Sequence, residues 1–290
     1  MRHSRGFTLI ELLIALVMMG VVTGGLYAML IRTQRLTRAQ TEQLSLQSTV
    51  RSASLVVPSE LRELNNVVGA ATPGPQVDLV AQAPTSITYR AMRGLGFVCQ
   101  VTATEIRLLK DQWSAYRDPV ATRDAAYIFI ENDPNLTSDD AWLQENITGV
   151  NMASNCGAGI GAIALTVSPN VTPAQVLIGT PVRTFEVMKL SLYVEGGKSW
   201  LGAQSVSGGD PSLQPLLGPL KDDDGVTAGL NFTYLDAAGA VTAVPANVKS
   251  VVLTVRGVSQ HAMSRSGGSY AGVGTDSLVT QVSLRNAFRP

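Results

Sequence analysis

Glu11 is the residue whose surroundings are most unusual for its chemistry. It is the only charged member of an otherwise apolar run from Phe7 to Ile31. An ionised carboxylate within a membrane-spanning helix costs about 3 kcal/mol on insertion scales unless it finds a partner. Glu11 therefore indicates a functional contact inside a membrane. The alternative is a shallow position from which its carboxylate reaches water among the lipid headgroups.

Few other residues offer catalytic or metal chemistry. Two cysteines and two histidines are too few for a tetrahedral zinc or iron–sulfur site built from these residues alone. His261 stands in a Ser/Gly-rich segment, which we expect to be a loop that gives a Ser–His pair no rigid scaffold. Equal numbers of basic and acidic residues, 22 of each, argue against a broad nucleic-acid-binding surface. We therefore expect neither an enzyme nor a cofactor or metal site.

Two short segments imitate ligand-binding motifs. Residues 197–199, Gly-Lys-Ser, copy the end of a phosphate-binding loop, but Leu192 occupies the position of its first glycine. A two-residue hairpin turn at Gly196-Gly197 is the favoured interpretation. Residues 222–224 are three aspartates that could collect Ca²⁺, but Leu220 stands where an EF-hand loop begins with an acid. A solvated turn is favoured there, and calcium remains an alternative.

The apolar run that contains Glu11 is long enough to cross a bilayer. A spanning helix needs about 20 residues, whereas the apolar core of a cleaved signal peptide is shorter. Residues 1–6 form a short basic leader, which the positive-inside tendency places in the cytoplasm. Arg32, Arg35 and Arg38 flank the other end of the run and weaken this assignment of orientation.

Residues 6–11, Gly-Phe-Thr-Leu-Ile-Glu, carry a family resemblance. With the basic leader before them and the apolar stretch after them, they resemble the class III signal of type IV prepilins and type II secretion pseudopilins. The resemblance implies that a prepilin peptidase cuts between Gly6 and Phe7 and that Phe7 is then N-methylated. It further implies that the new amine approaches Glu11 of a neighbouring subunit, where the buried charge pair fixes axial register.

Two features of the apolar run bear on helix packing. Gly20 and Gly24 form a G-x-x-x-G pattern that permits close helix approach, although small residues are common in membrane helices without a specific dimer face. Many major pilins carry a proline where this sequence has Ala28. The local helix melting seen in some filaments is therefore not assumed for this chain.

An apolar stripe continues the helix beyond the membrane. Its members recur every three or four residues: Leu46, Val50, Ala53, Val57, Leu61 and Leu64. We predict one helix from Phe7 to about Asn65, about 90 Å long, with residues 7–31 in the membrane and 32–65 as an amphipathic continuation. Pro58 is expected to kink the helix or to start a new one, and separate membrane and soluble helices are the alternative.

Residues 76–290 are predicted to form an extracytoplasmic β-rich head after a Pro/Gly linker at 69–75. Candidate strands are 86–90, 97–101, 105–109, 127–131, 163–167, 183–195, 230–235, 248–256 and 277–284. Turns at 196–197 and 236–239 are expected to join hairpins, the second leading into a strand at 240–244. Residues 207–219 and 264–274 are expected to be exposed loops, and the glycine-rich stretch 157–161 a flexible one.

The predicted fold class is α+β, with one long N-terminal helix packed on a mainly antiparallel sheet. This layout resembles the pilin fold. Residues 60–62 and 282–286 are also similar to segments of PilW-like minor pilins and J-type pseudopilins.

Cys99 and Cys156 lie in the part of the chain placed outside the inner membrane, where oxidation is permitted. We expect a disulfide that stabilises the loop-rich stretch 111–161 by about 4 kcal/mol in the chain-entropy model. Two separate buried thiols are the alternative.

Three functions are consistent with these features. The leading one is a minor pilin that helps to initiate or cap a type IV pilus. The alternatives are a J-type pseudopilin and a membrane-tethered adhesin or DNA-uptake protein that never assembles. The resemblance implies prepilin peptidase, other pilins or pseudopilins and an inner-membrane assembly platform as partners. It also implies a single-pass inner-membrane protein with a cytoplasmic N-terminus and a periplasmic head, which later enters a pilus or pseudopilus.

Overall fold

The computed structural model describes residues 8–67, 76–131, 133, 135–136, 140–264 and 271–285. Within these ranges the protein has one long helix, α1 (Leu9–Arg62), and strands β1 to β15. The first strands are β1 (Asn66–Val67), β2 (Gln76–Val77), β3 (Leu79–Ala83), β4 (Ser86–Val101), β5 (Glu105–Leu109), β6 (Ser114–Ala115) and β7 (Asp124–Ile130). The later strands are β8 (Ala141–Asn155), β9 (Gly161–Ser168), β10 (Pro181–Glu195), β11 (Lys198–Ser205), β12 (Gln214–Leu220), β13 (Leu230–Leu235), β14 (Ser250–Ser264) and β15 (Ala271–Ser283).

α1 is a single helix of 54 residues, about 81 Å long. It continues through Pro58 to Arg62, so one helix is confirmed and two separate helices are excluded, although α1 ends three residues before the predicted Asn65. All six residues of the apolar stripe are buried. From Leu9 to Leu30, by contrast, every residue is exposed. The first half of α1 therefore exposes its apolar side chains on every side, whereas the second half buries its apolar stripe.

Six strands close into a barrel. β10 pairs with β4 on one edge and with β7 on the other, and β8, β9 and β5 complete the ring through antiparallel pairings. All six strands supply apolar side chains to its interior: Val98, Ile106, Leu108, Ala126, Ile128, Ile147, Ile163, Leu165, Val167 and Val182. We call this unit the barrel lobe. Its core contains no residue of α1.

The remaining large sheet packs on the second half of α1. Its strands follow the order β3, β4, β10, β11, β12 and β14, and both β13 and β15 pair with β14. Apolar side chains of the sheet surround Val57 and Leu61 of the helix and Leu64 just after it: Ile87, Tyr89, Leu190, Leu201, Leu230, Phe232, Val251, Leu253 and Val255. We call this unit, with α1, the helix lobe. The α+β prediction of a helix on an antiparallel sheet is confirmed.

A β-bulge in β4 allows this long strand to serve both lobes. β10 residues Thr184 and Phe185 pair with Gly94 and Met92, so Arg93 is the extra residue. The bulge shifts the alternation of β4 by one residue. Before the bulge, odd-numbered residues such as Tyr89 therefore face the core of the helix lobe. After the bulge, even-numbered residues such as Val98 face the interior of the barrel lobe.

Several strand predictions were wrong in extent. The segments 86–90 and 97–101 are parts of one strand, β4, and the predicted loop 207–219 contains most of β12. β8 was not predicted, because its exposed Gln144, Asn146 and Thr148 carry little hydrophobic signal. Whereas 105–109 and 230–235 match β5 and β13, the strand expected at 240–244 is only a bridge between Leu235 and Val241.

The loop predictions had mixed outcomes. His261 lies in β14 and not in a loop, and β15 already begins at Ala271. Residues 157–160 form a short turn between β8 and β9, in which Gly157 and Gly159 adopt positive φ, and Gly161 begins β9. The linker 69–75 and residues 265–270 lie outside the described residues.

Candidate assembly interface

The first described residues form a helix cap that uses Glu11. Thr8 is the N-cap of α1, and its hydroxyl accepts a hydrogen bond from the Glu11 backbone N–H at 3.4 Å. In return, the Thr8 backbone N–H and hydroxyl donate to Oε2 of Glu11 at 2.9 and 3.0 Å. This reciprocal arrangement is a capping box. The Glu11 carboxylate thus has a partner within its own chain.

Thr8 is a residue that the sequence analysis overlooked. The pattern Thr-x-x-Glu before an apolar run is a signal for a helix start, and residues 8–11 display it. The cleavage residues Gly6 and Phe7 lie outside the described residues. The site that is described therefore consists of Thr8 and Glu11 at the end of an exposed apolar helix.

The first half of α1, from Leu9 to Leu30, is exposed at every residue, and we call it the membrane half. Its whole surface is available to other molecules. By length and composition it is a helix that can cross a membrane, and none of its most apolar 18-residue window is buried. A methyl group added at Gly20 or Gly24 would meet no atom within 4 Å, and Gly25 is equally open. Both glycines of the G-x-x-x-G pattern are thus available for contact with another helix.

At the outer end of the apolar run, α1 becomes basic and then joins the head. Arg32, Arg35 and Arg38 are exposed. One turn further on, the Glu42 carboxylate accepts hydrogen bonds from the backbone N–H groups of Gln260 and His261 at 2.9 and 3.4 Å. His261 Nδ1 lies 2.6 Å from Glu42 Oε1. Partial burial raises the pKa of Glu42, but these hydrogen bonds outweigh it and leave the pKa lowered. Glu42 thereby fixes β14 against the helix.

The barrel lobe and helix lobe meet at a buried cluster of charges. Glu186 lies on β10 just after the residues that pair across the β4 bulge, at the point where the neighbouring strand changes from β7 to β11. Its carboxylate contacts Arg93 at 2.9 Å, Arg117 at 3.0 Å and Arg123 at 2.5 Å. The Ser205 hydroxyl also donates to it. Burial raises the pKa of Glu186, yet these donors together lower the pKa to about 2.

Asp124 completes this cluster. Arg117 binds both of its carboxylate oxygens at 2.6 Å, and the Val120 N–H donates to it at 2.8 Å. The sequence analysis missed the cluster. Its five charged members come from β4, β7, β10 and the connection before β7. No spacing in the sequence indicates that these residues lie close together in the fold.

Two other acids are buried with an unpaired oxygen. Glu145 on β8 is 2 % exposed, its Oε2 has no hydrogen-bond partner, and burial raises its pKa to about 7. Asp78 is 1 % exposed, and burial raises its pKa to about 6 although the Asn65 N–H donates to it at 2.7 Å. Each residue therefore favours its neutral form more than a carboxyl group in water does.

The cysteines form the expected disulfide, Cys99–Cys156, across 57 residues. Cys99 lies near the end of β4, and Cys156 directly follows β8. Because β5 and β9 lie between these strands in the ring, the bond connects non-adjacent strands of the barrel lobe.

The two ligand-binding look-alikes are both turns. Gly196 and Gly197 join β10 to β11 with φ of 59° and 72°, as expected for a two-residue hairpin. The aspartates at 222–224 do not converge. Asp222 accepts from the Ser199 hydroxyl at 2.7 Å, whereas Asp224 contacts Lys221 at 2.6 Å, which lowers the pKa of Asp224.

An open cleft of about 680 Å³ lies between the end of α1 and the middle of β4. Its charged lining residues are Glu60, Glu63, Arg93, Arg183 and Arg285. Glu63 pairs with Arg285 at 3.3 Å, Arg93 is held by Glu186, and Glu60 accepts from the Tyr89 hydroxyl at 3.2 Å. Most of this charge is therefore already engaged, and the cleft contains no arrangement of a nucleophile beside a base among the described residues.

Residues 1–27 match the family model of the prokaryotic N-terminal methylation motif. A search of curated proteins and a search of solved structures found no match. Together with the apolar N-terminal helix, the motif supports a type IV pilin-like protein of the pilin or pseudopilin type. The motif implies processing by a prepilin peptidase and assembly with other pilins, and it fits anchoring in an inner membrane. Proteins of this type are structural.

Proposed function

We propose that the chain is a minor pilin that helps to initiate or cap a type IV pilus. The observation that carries the proposal is the exposed apolar half of α1, which bears the methylation motif at its start. An apolar surface of this size needs lipid before assembly and other helices after it. The bulk of the two-lobed head favours a scarce subunit over one that repeats along the whole filament.

The N-terminus is the proposed assembly site. A prepilin peptidase would cut between Gly6 and Phe7, and methylation would follow at Phe7. The new amine of one subunit would then approach Glu11 of its neighbour. Since Thr8 already donates two hydrogen bonds to Glu11, the amine would add to or replace a contact within the chain. A neighbouring subunit displaced along the filament axis would lose this charge pair, so the pair favours one axial register.

The rest of the membrane half supplies packing. Gly20 and Gly24 would let a neighbouring helix approach closely, since neither is covered in the single chain. Before assembly, α1 would cross the inner membrane once with its N-terminus in the cytoplasm and the head in the periplasm. An inner-membrane assembly platform would then move the subunit into the filament beside other minor and major pilins.

Deletion of the gene tests the class of machine. We expect loss or scarcity of surface pili and of motility, with protein secretion unchanged. Loss of secretion with normal pili would instead assign the chain as a J-type pseudopilin. Normal pili, motility and secretion, with loss of adhesion or DNA uptake alone, would assign a tethered binding protein.

Mass analysis tests the processing site. Intact protein extracted from membranes should lack residues 1–6 and carry one additional methyl group. An unprocessed Met1, or a cut beyond Ile31, contradicts the assignment.

Replacement of Glu11 tests the assembly contact. Glu11→Ala should leave cleavage and membrane content unchanged but lower the amount of protein in sheared filaments, because the Phe7 amine loses its counter-charge. Glu63→Ala, which removes a 62 % exposed carboxylate from the helix end, is the matched control. Equal incorporation of both variants and the parent contradicts the role of Glu11.

A further inference from the structure

β15 is a long strand at the edge of the sheet, and among the described residues no strand pairs with its outer side. It extends from Ala271 to Ser283 and, among the described residues, pairs only with β14. Residues 275–279 are exposed at every position, although β15 as a whole also contacts α1. Val273 and Val279 are 58 % and 64 % exposed. An edge of this kind presents unpaired backbone groups to which another strand can bind.

The opposite edge of the same sheet is protected. Gln82 on β3 donates to the carbonyl of Thr242 at 2.8 Å, and the Tyr234 hydroxyl donates to the carbonyl of Ala83 at 3.1 Å. The short turn Pro245–Asn247 also contacts β3. One edge of the sheet is thus closed by the chain itself, whereas in the described part of the chain no strand or turn pairs with the outer side of β15.

β15 also lacks two of the features by which edge strands usually avoid association, and the third lies outside its regular part. Such strands carry lysine, proline or a bulge. β15 contains neither lysine nor proline, and its only charged residue is Asp276. Its pairing with β14 is regular from Thr275 to Ser283, and the register shift of this pair lies between Val258 and Ala262 of β14, before that stretch. The edge therefore suits the addition of a strand from another chain.

The direction of β15 relates this edge to the proposed assembly helix. Gly257 of β14 lies against Leu46 and Val50, while β14 residue His261 contacts Glu42. β14 thus runs antiparallel to α1, and β15 runs parallel to it, away from the membrane half. Subunits anchored through α1 share one orientation, so a neighbouring head can lie alongside the β15 edge.

We propose that the β15 edge receives an edge strand from the head of a different pilin-like subunit. This inference rests on the proposed function. Backbone hydrogen bonds would supply the contact, and a basic residue facing Asp276 would supply specificity. A second copy of this chain is a poor occupant. With both anchors in one membrane, two β15 strands would run parallel, and in-register pairing would place the two Asp276 side chains together.

The first experiment places a lysine on the edge in cells that assemble the filament. Val279→Lys and Val273→Lys change exposed side chains, and each should reduce incorporation into sheared filaments at least about fivefold. Val241→Lys alters a valine that is 74 % exposed and lies away from this edge, and it should incorporate like the parent. Retention of the Cys99–Cys156 bond and of protease resistance reports that each variant is folded. Incorporation of both edge variants at the parental level overturns the inference.

Crosslinking identifies the occupant. Ser277→Cys places a thiol on the exposed part of β15, and a short crosslinker should join it to a different pilin-like subunit, identified by mass spectrometry. An adduct of two copies of this chain, or none, overturns the proposed occupant. Glu11→Ala separates the two proposals. If it lowers incorporation while the edge variants incorporate normally, the edge inference alone is wrong. If the parent never enters filaments, the proposed function itself is wrong.

Discussion

The helix lobe and the barrel lobe bury their apolar residues in different ways. The helix lobe depends on α1, which contributes Ala53, Val57 and Leu61 to a core otherwise made mainly by the sheet. The barrel lobe closes its own ring of strands, takes nothing from α1 and contains the disulfide. The core of one lobe is therefore coupled to the assembly helix, and the core of the other is independent of it.

This difference separates two tasks in the proposed assembly. Any shift of α1 during assembly acts directly on the helix lobe, whose open edge is β15. Among the described residues, the barrel lobe shares strands β4 and β10 and the Glu186 cluster with the helix lobe. We therefore expect mutations to affect the lobes separately, except at these shared elements.

Removal of the disulfide should give the largest effect and confine it to the barrel lobe. Loss of a bond that closes a 57-residue loop should lower the free energy of unfolding by about 4 kcal/mol in the chain-entropy model. For Cys99→Ser combined with Cys156→Ser, amide hydrogen exchange of the full chain in detergent should rise in β5, β8 and β9. Equal loss of protection in β13 and β14 would show that the lobes unfold as one unit.

Truncation of Leu61 should act on the other lobe. The side chain is fully buried between α1 and the sheet, so Leu61→Ala should cost about 3 kcal/mol through lost contacts and a cavity. Leu55→Ala, on the same helix but 72 % exposed, is the control and should cost less than about 0.5 kcal/mol. Denaturant unfolding measures the free energy of unfolding of each variant. Hydrogen exchange should show that the loss of protection lies in β13 and β14. A loss centred on the barrel strands would contradict the separation of cores.

Replacement of Glu186 should affect both lobes. Glu186→Gln removes the charge shared by three arginines and should cost about 2 to 3 kcal/mol at neutral pH. The pKa is about 2 in the folded chain and is normally 4.5, so the unfolded chain binds more protons in this window. The parent should therefore gain stability as the pH rises from 2 to 4.5, and the variant should lack this gain. Identical pH profiles would contradict the lowered pKa.

Glu145 should have the smallest effect, with the opposite sign. The pKa is about 7 in the folded chain and normally 4.5, so between these values the folded chain retains a proton that the unfolded chain has lost. The free energy of unfolding of the parent should fall as the pH rises through this window. Glu145→Gln should therefore be more stable relative to the parent at pH 8 than at pH 4. Denaturant titrations at both pH values measure this difference. If there is no difference, the burial of an unpaired carboxyl is contradicted.

The sequence predicted the helical part of the fold better than the head. All six residues of the stripe from Leu46 to Leu64 were predicted correctly as buried, because the buried positions of a helix recur every three to four residues along one chain. In the head, Glu105–Leu109 and Leu230–Leu235 matched because their inward residues alternate and their limits are marked by turns. β8 escaped prediction because polar residues occupy its outward positions, and β4 was divided because its bulge disrupts the alternation.

What the sequence by itself determined is local. A glycine, the aromatic residue after it and Glu11 before an apolar run predicted the motif, and the stripe predicted which face of the helix is buried. Barrel closure, the cluster around Glu186 and the open β15 edge were decided only by the tertiary structure. Each depends on pairings between segments far apart in the chain. Alternation along a strand indicates which side faces a core, but not which strand lies beside it or whether any strand does.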